Sequence, residues 1–416
     1  MTAARIGLKN VFHLADYRNN QKSTEQKLIQ AIHDQDYKTI KRLILREARI
    51  SNSSYALGWF LHTAYRVTDG DTDIIGYFID QGVNIKFRDS YGATLLDTAV
   101  IEGKIKVCEC LLLKGLTLHA IEQNGYTTPV EKAIQYHQLP ILEIFLNYFR
   151  NSDDLDKISD TLYLAVKLNK IDSIETILKF PLNREKLFDK GIPLIHFCTS
   201  NEALHALHNA KLDINEPDGN GFTLLSKWIA QDKETLAMAL IQLEPNIFRD
   251  KEGFTSMIKT VIRNKSLPLM QALTNLELIQ ANTENITPSN FGDWILCYAI
   301  EEKSDLETLK FLVDYGANIN GYNHANQTPL MLAALKNNPY YLLYLISLNA
   351  DPNLKDGYGR TALLNAIKHR SEKCISALLG ASTNLEHKDK LGFDVALHCA
   401  VSGTKKIAKT LARHKI

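Results

Sequence analysis

No stretch of this 416-residue chain approaches 18 consecutive apolar positions, so no segment offers the hydrophobic length that a membrane-crossing helix needs. Proline and glycine are sparse, at 11 and 21 residues, which excludes a collagen-like chain and a Pro/Gly-rich disordered one. The six cysteines, at 108, 110, 198, 297, 374 and 399, are too scattered for a disulfide framework. Cys108-x-Cys110 has no second pair to complete a zinc site. In a chain of this size such thiols are expected to stay free in a reducing compartment, and a cytoplasmic protein is expected. Phosphate-binding and hydrolase signatures are missing too. Gly103-Lys104 lacks the leading glycine and the hydroxyl of a P-loop, and neither His-Glu-x-x-His nor Gly-x-Ser-x-Gly occurs.

The opening residues, MTAARIGLKNVFHLADYRNN, contain no apolar core of secretory type, and residues 1–23 are expected to form an N-terminal arm or helix. The net charge of +1 is unevenly laid out. Residues 1–50 hold ten Lys/Arg against five Asp/Glu, and residues 355–416 hold twelve against five, so the middle is acidic. A basic–acidic–basic order argues against one continuous nucleic-acid stripe.

What the chain does contain is a period. A small residue five positions after a helix-entry signal recurs at Ala31, Ala64, Ala99, Ala133, Ala165, Cys198, Trp228, Thr260, Ala299, Ala333, Ala366 and Cys399, with gaps of 30 to 39 residues and mostly near 33. Each interval carries two short apolar stripes of helical spacing and ends in a turn. Such units cannot bury an apolar face alone, but they can when stacked.

The entry segments NQTPLM (326–331), YGRTALL (358–364), YGATLL (91–96), NGYTTPV (124–130), NGFTLL (220–225) and KGIPLIH (190–196) resemble the Gly-x-Thr-Pro-Leu-His entry of ankyrin repeats. The exits FLVDYGANIN (311–320), FIDQGVNI (78–85) and LISLNADPN (345–353) resemble that family's Leu-Leu-x-x-Gly-Ala-Asp-Val-Asn. The resemblance covers about residues 24–416. It implies an all-α ankyrin-repeat solenoid of stacked helix-turn-helix units joined by short hairpin-like loops. Threonine at each entry is expected to cap free amides, proline beside it is tolerated in the first turn, and Gly82 and Gly316 suit left-handed helix ends.

The expected organisation is the arm at 1–23, repeats one to eight with an N-terminal cap over 24–280, and an inserted loop followed by repeats nine to twelve with a C-terminal cap over 281–416. One helix from Thr24 to Ile44 is expected to form the first cap. Trp228 and Thr260 replace the small residue, so packing there is expected to differ. Residues 147–160 and 180–190 lack the usual exit, and LIQANTENITPSNFGDW (278–294) reads as an insertion that could kink the array.

The family resemblance also carries the functional expectation: a non-enzymatic scaffold or adaptor that binds a partner protein along its concave face. Inner-helix positions on that face are Ile101, Glu102, Gln135, Tyr136, Lys167, Leu168, Arg263, Glu301, Glu302, Lys336, Lys368 and His369. Loop-tip positions are Arg88, Tyr91, Tyr126, Phe222, Arg249, Phe254, Tyr322, His324 and Tyr358. Aromatic and arginine side chains in such a row are the types that dominate binding hot spots. No cofactor, metal or nucleic acid is expected, and the chain is expected to be monomeric. Its style also resembles ankyrin proteins that intracellular bacteria deliver into host cells, which implies a secreted effector acting on host proteins.

Two other readings are open. A cysteine hydrolase using Cys198 or Cys297 could sit in the degenerate stretches 147–200 or 276–295. The basic ends could instead touch nucleic acid or acidic lipid. Against the first, His62 and His196 fall where the family carries a structural histidine, and Cys198 and Cys399 take the place of the small alanine, so packing is the expected role.

Overall fold

A computed structural model describes residues 24, 26–51, 58–89, 91–116, 118, 128–189, 192–249, 253–284 and 293–402. The chain divides into two compact units, Met1–Lys190 with Phe197–Leu212, and Gly191–His196 with Asp213–Ile416. Each is a short all-α solenoid of helical hairpins.

In the first unit the hairpins are α1 (residues 26–33) with α2 (Tyr37–Ser51), α3 (Gly58–Thr68) with α4 (Thr72–Asp80), α5 (Leu95–Ile101) with α6 (Ile105–Leu113), α7 (Pro129–Gln135) with α8 (Leu139–Asn151), and α9 (Leu155–Lys167) with α10 (Ile171–Ile177). They are followed by the single helix α11 (Asn201–Asn209). The second unit pairs α12 (Leu224–Ala230) with α13 (Glu234–Ile241), α14 (Gly253–Asn264) with α15 (Leu267–Glu284), α16 (Ile295–Glu301) with α17 (Leu306–Asp314), α18 (Pro329–Leu335) with α19 (Pro339–Ser347), and α20 (Ala362–Lys368) with α21 (Glu372–Leu379). It ends, among the described residues, on α22 (Val395–Ser402). The only strands among the described residues are the two-residue segments Phe188–Asp189 and Ile192–Pro193.

The recurring small residue is the packing anchor. Ala64, Ala99, Ala133, Ala165, Ala299, Ala333 and Ala366 have no accessible surface, and Ala31, Cys198, Trp228 and Cys399 are buried as well. A small side chain there lets inner helices of successive hairpins approach, while the leucines around it fill the layer between. Leu309, Leu312, Leu342, Leu345 and Leu378 are all fully buried in the second unit, each contributing about 1.5–3 kcal/mol over an exposed leucine.

Thr260 is a correction. It is only half-buried, and its hydroxyl donates to the Ser256 carbonyl of its own helix at 3.0 Å. The anchor of α14 is Val261, which is fully buried and whose carbonyl accepts from the amide of Ser266. That bond is the one Ala99, Ala133, Ala165, Ala299, Ala333 and Ala366 make with the amide five residues on.

This six-to-one bond belongs to a Schellman ending. In nine repeats the residue four after the anchor turns left-handed: Gln35, Gly103, His137, Asn169, Asp232, Lys265, Lys303, Asn337 and Arg370. Only one of the nine is glycine. The same device splits the single helix expected over 24–44 into α1 and α2, because Gln35 stands at φ 52 and the amide of Asp36 bonds to the Ala31 carbonyl.

At the other end of the inner helices the threonines act as expected. Thr94, Thr128, Thr223, Thr328 and Thr361 each accept the amide three residues on, with Pro129 and Pro329 in the first turn. Such a cap contributes about 1 kcal/mol. Gly82 and Gly316 take φ values of 86 and 99 at the outer-helix ends, where a side chain would be strained.

The degenerate stretches depart as their sequences imply. α8 runs to Asn151 and α9 starts at Leu155, so no finger-like loop separates these hairpins. The helix expected around Cys198 is a single 3-10 turn, Leu194–Phe197. Ser200 is already extended there, and its hydroxyl caps α11 through the amide of Ala203. Across the 285–292 segment, which lies outside the described residues, the stack is held by side chains. Arg263 Nη2 donates to the Tyr298 hydroxyl at 3.1 Å, and the Tyr315 hydroxyl donates to the Thr274 carbonyl at 3.2 Å. Lys259 sits 4.3 Å above the Trp294 ring.

Candidate protein-interaction face

The loop tips are built by one side chain that the motif reading missed. Asp89, Asp218, Asn323, Asp356 and Asp389 each place Oδ1 on the amides two and four residues ahead, at 2.8–3.1 Å. Their own amides donate to the carbonyl four residues on, closing the tip. The signal was legible as Asp-x-x-Gly before the entry threonine in DSYGAT, DGNGFT and DGYGRT. Its consequence is a fixed turn that exposes the residue two after the aspartate. Tyr91 is 90% exposed in the first unit, and Tyr358 and Leu391 are 69% and 78% exposed in the second.

Two of these carboxylates reach further. Asp356 Oδ2 accepts from Arg360 Nε at 3.1 Å and from Asn365 Nδ2 at 3.0 Å, all three residues being buried. The Arg360 guanidinium lies 4.4 Å from the centre of the Tyr358 ring and fixes it from below. Asp389 Oδ2 lies 2.9 Å from His398 Nε2. Burial opposes the Asp389 charge, but the amide of Phe393 and the His398 ring hold its carboxyl below the ordinary range.

Among the positions expected on the concave face, the first unit exposes Tyr91, Glu102, Gln135, Tyr136 and Lys167. Glu102 accepts the Tyr65 hydroxyl of the preceding hairpin, and burial followed by that bond raises the Tyr65 pKa. Arg88 is half-buried, and its guanidinium braces the tip by donating to the Gly92 carbonyl at 2.7 Å. Tyr126 lies outside the described residues.

In the second unit Arg249, Arg263, Glu301, Tyr322, His324, Lys336, Tyr358, Lys368 and His369 are exposed, and Glu302 is half-buried. Arg249 pairs with Asp213 at 2.6 Å, and Glu301 accepts from Asn323 Nδ2 at 3.0 Å. Burial, then Lys368 and Arg360, lower the His369 pKa. Phe254 is a correction: at 4% exposure it is a core residue of α14 and presents nothing to a partner. Phe222 is half-buried and lines a cleft of about 330 Å³ with Asp218, Ser226, Lys227, Ala230, Met257 and Thr260. The half-buried Thr260, turned out by the register of α14, forms one of its walls.

The cysteine-nucleophile reading meets the opposite geometry. Cys198 and Cys297 are buried, and burial pushes both thiols up to about 12. A reactive cysteine needs an exposed site and a depressed pKa. Cys297 Sγ lies 3.3 Å from the Gln327 carbonyl as a donor. His196 Nε2 lies 2.9 Å from the Glu216 carbonyl and ties its 3-10 turn to the loop before the Asp218 tip, a local structural hydrogen bond. Among the described residues no group of His, Cys, Asp and Glu could hold a metal ion, and no helix is long and apolar enough to cross a membrane.

Residues 259–356 and 330–416 match the family model described as ankyrin repeats (3 copies). A B-cell lymphoma 3 protein homolog of Mus musculus is 38% identical over 85 residues, which is 20% of this chain and 19% of that protein. An ankyrin repeat protein of fowlpox virus (strain NVSL) is 22% identical over 374 residues, covering 80% of this chain and 61% of its own length. An ankyrin repeat protein of Rickettsia bellii (strain RML369-C) is 29% identical over 103 residues, 24% of this chain and 61% of the relative. Residues 259–416 are ankyrin repeats by this match, and the chain as a whole resembles ankyrin repeat proteins. It spans less than two thirds of the length of each of these relatives. Ankyrin repeats are in general protein–protein interaction modules, and their stacked units present extended surfaces to partners.

Proposed function

We propose that this protein is a non-enzymatic scaffold or adaptor that binds a partner protein through its loop tips and inner helices. The observation that carries the reading is the set of locked tips. Tyr91, Tyr358 and Leu391 hold large apolar side chains in water on turns that their aspartates have already fixed. An exposed apolar group on a rigid turn loses little freedom on binding, so more of its burial appears as affinity. The partner is a protein, met by a monomer of this chain without a cofactor. Likeness to ankyrin repeat proteins of fowlpox virus and Rickettsia bellii supports an effector that acts in the cytosol of a host cell on host proteins.

The test is affinity capture with the full chain, read by quantitative mass spectrometry. A Tyr358→Ser/Leu391→Ser variant is compared with wild type and with Tyr340→Ser/Leu343→Ser, which alters exposed residues of α19 away from the tips. Loss of a partner in the tip variant alone supports the reading. Equal capture by all three proteins, or loss only in the α19 variant, overturns it.

A further inference from the structure

We infer that the inner face of the α18–α20 repeats takes an acidic segment of the partner protein, held in an extended, polyproline-like conformation with an acid at every third position. This rests on the interaction reading above and adds the chemistry of what is bound. Lys336 follows α18, Lys368 ends α20, and Arg370 follows it on a left-handed turn. All three are exposed, and none has an ion-pair partner among the described residues. The neighbouring Arg360 is already neutralised, buried against Asp356. A row of unpaired cations on adjacent, packed helices is a standing attraction for carboxylates.

The spacing selects the conformation. α18 and α20 pack directly against each other, and packed helices lie about 8–10 Å apart. A polyproline-type segment repeats one face every three residues, or about 9 Å. Lys336 stands three residues after Ala333 and Lys368 two after Ala366, and acids at positions i and i+3 of such a segment would reach from one repeat to the next. The exposed rings of Tyr322, just before the Asn323 tip, and Tyr358, on the Asp356 tip, are available to cover the segment's apolar positions. A nucleic acid fits less well. On the preceding repeat the row carries Glu301 and Glu302 before Lys303, and these carboxylates would repel a continuous polyphosphate, whereas a peptide can leave those positions uncharged.

The test uses the full chain and a fluorescein-labelled (Glu-Pro-Pro)4 peptide, followed by fluorescence anisotropy. The comparison probes are (Lys-Pro-Pro)4, a twelve-residue thymidine oligonucleotide, and vesicles carrying one third phosphatidylserine. The acidic peptide is expected to bind wild type, at least tenfold more weakly in 300 mM than in 50 mM salt, and at least tenfold more weakly to Lys336→Glu/Lys368→Glu. Lys336→Gln/Lys368→Gln is expected to lie between, and an unchanged melting curve keeps both variants interpretable. Equal peptide binding by wild type and the charge-reversed protein overturns the inference, as does tighter binding of the oligonucleotide or the vesicles. If that happens while Tyr358→Ser/Leu391→Ser still loses its captured partner, only the acidic-segment assignment falls. If capture is also indifferent to the tips, the interaction reading falls with it.

Discussion

Residues 293–402 and residues 147–212 are made from the same hairpin, yet they treat the space between hairpins differently. In the first region every junction carries a tip fixed by Asn323, Asp356 or Asp389, and every inner helix begins as a seven- or eight-residue element. In the second, α8 and α9 are joined through Ser152–Asp154 with no tip, and the inner helix before α11 shrinks to one 3-10 turn. Both regions bury their cores equally well: Ile158, Leu162, Ile174 and Leu204 are as inaccessible as Leu330, Leu345 and Leu378. The apolar layers are therefore what the fold requires. The tips are an addition, and they carry the exposed side chains on which the proposed contact rests.

Substitutions can break that comparison. The largest effect is expected from Asp356→Ala, which strands the buried Arg360 and Asn365 and two tip amides, and should destabilise the second unit by about 3–5 kcal/mol. The tipless junction offers a control, because Asp154→Ala removes a cap on the Lys157 amide and should cost about 1 kcal/mol. Urea unfolding followed by circular dichroism reads both, and equal losses would mean that the tip network is not special. The next effect concerns register. Val261→Ala should cost about 2 kcal/mol by emptying a packed site, while Thr260→Ala on the same turn should change little. The reverse order would restore Thr260 as the anchor.

A smaller gain is expected from Lys303→Gly. A non-glycine residue at φ 58 carries a left-handed penalty of about 1 kcal/mol, so thermal melting should shift upward. The smallest effect is a dependence on pH. Burial lowers the pKa of His62 and of His196 below 6.5 in the folded units. As pH falls through 6.5 the unfolded chain takes up the proton first, so the stability these groups allow is complete above that value and declines beneath it. The melting temperature should fall between pH 7.5 and 5.5, and fall less in His196→Gln. Asp218 and Asp389, held below 3.8, titrate under this window.

Much of the fold could be read from residues with a single physical job. Thr94, Thr128, Thr223, Thr328 and Thr361 announced helix starts because a hydroxyl there replaces a missing backbone partner. Ala99, Ala133 and Ala333 marked close approach because nothing larger fits. Three features were harder to see. Thr260 and Val261 are both β-branched neighbours, and only burial distinguishes which one faces inward. Gln35, His137, Lys303 and Arg370 give no glycine signal at left-handed helix ends, so the break between α1 and α2 was invisible. At the candidate site the exposed aromatic tips were identifiable as residue types beside a glycine. Phe254 looked the same, but it belongs to the helix rather than the tip, because α14 begins at Gly253. The bracing of Tyr358 by Arg360 depends on a contact between side chains and left no trace in spacing.

The bonds that reach over residues 285–292 have a practical consequence. Arg263 with Tyr298, Lys259 with Trp294, and Tyr315 with Thr274 tie the hairpins on either side without using the peptide chain between them. The two sides are thus linked through space as well as along the backbone. Two separately expressed polypeptides, one ending at Glu284 and the other starting at Asp293, should reassemble into the same stack, which makes this junction the natural place to split the protein or to splice in a reporter.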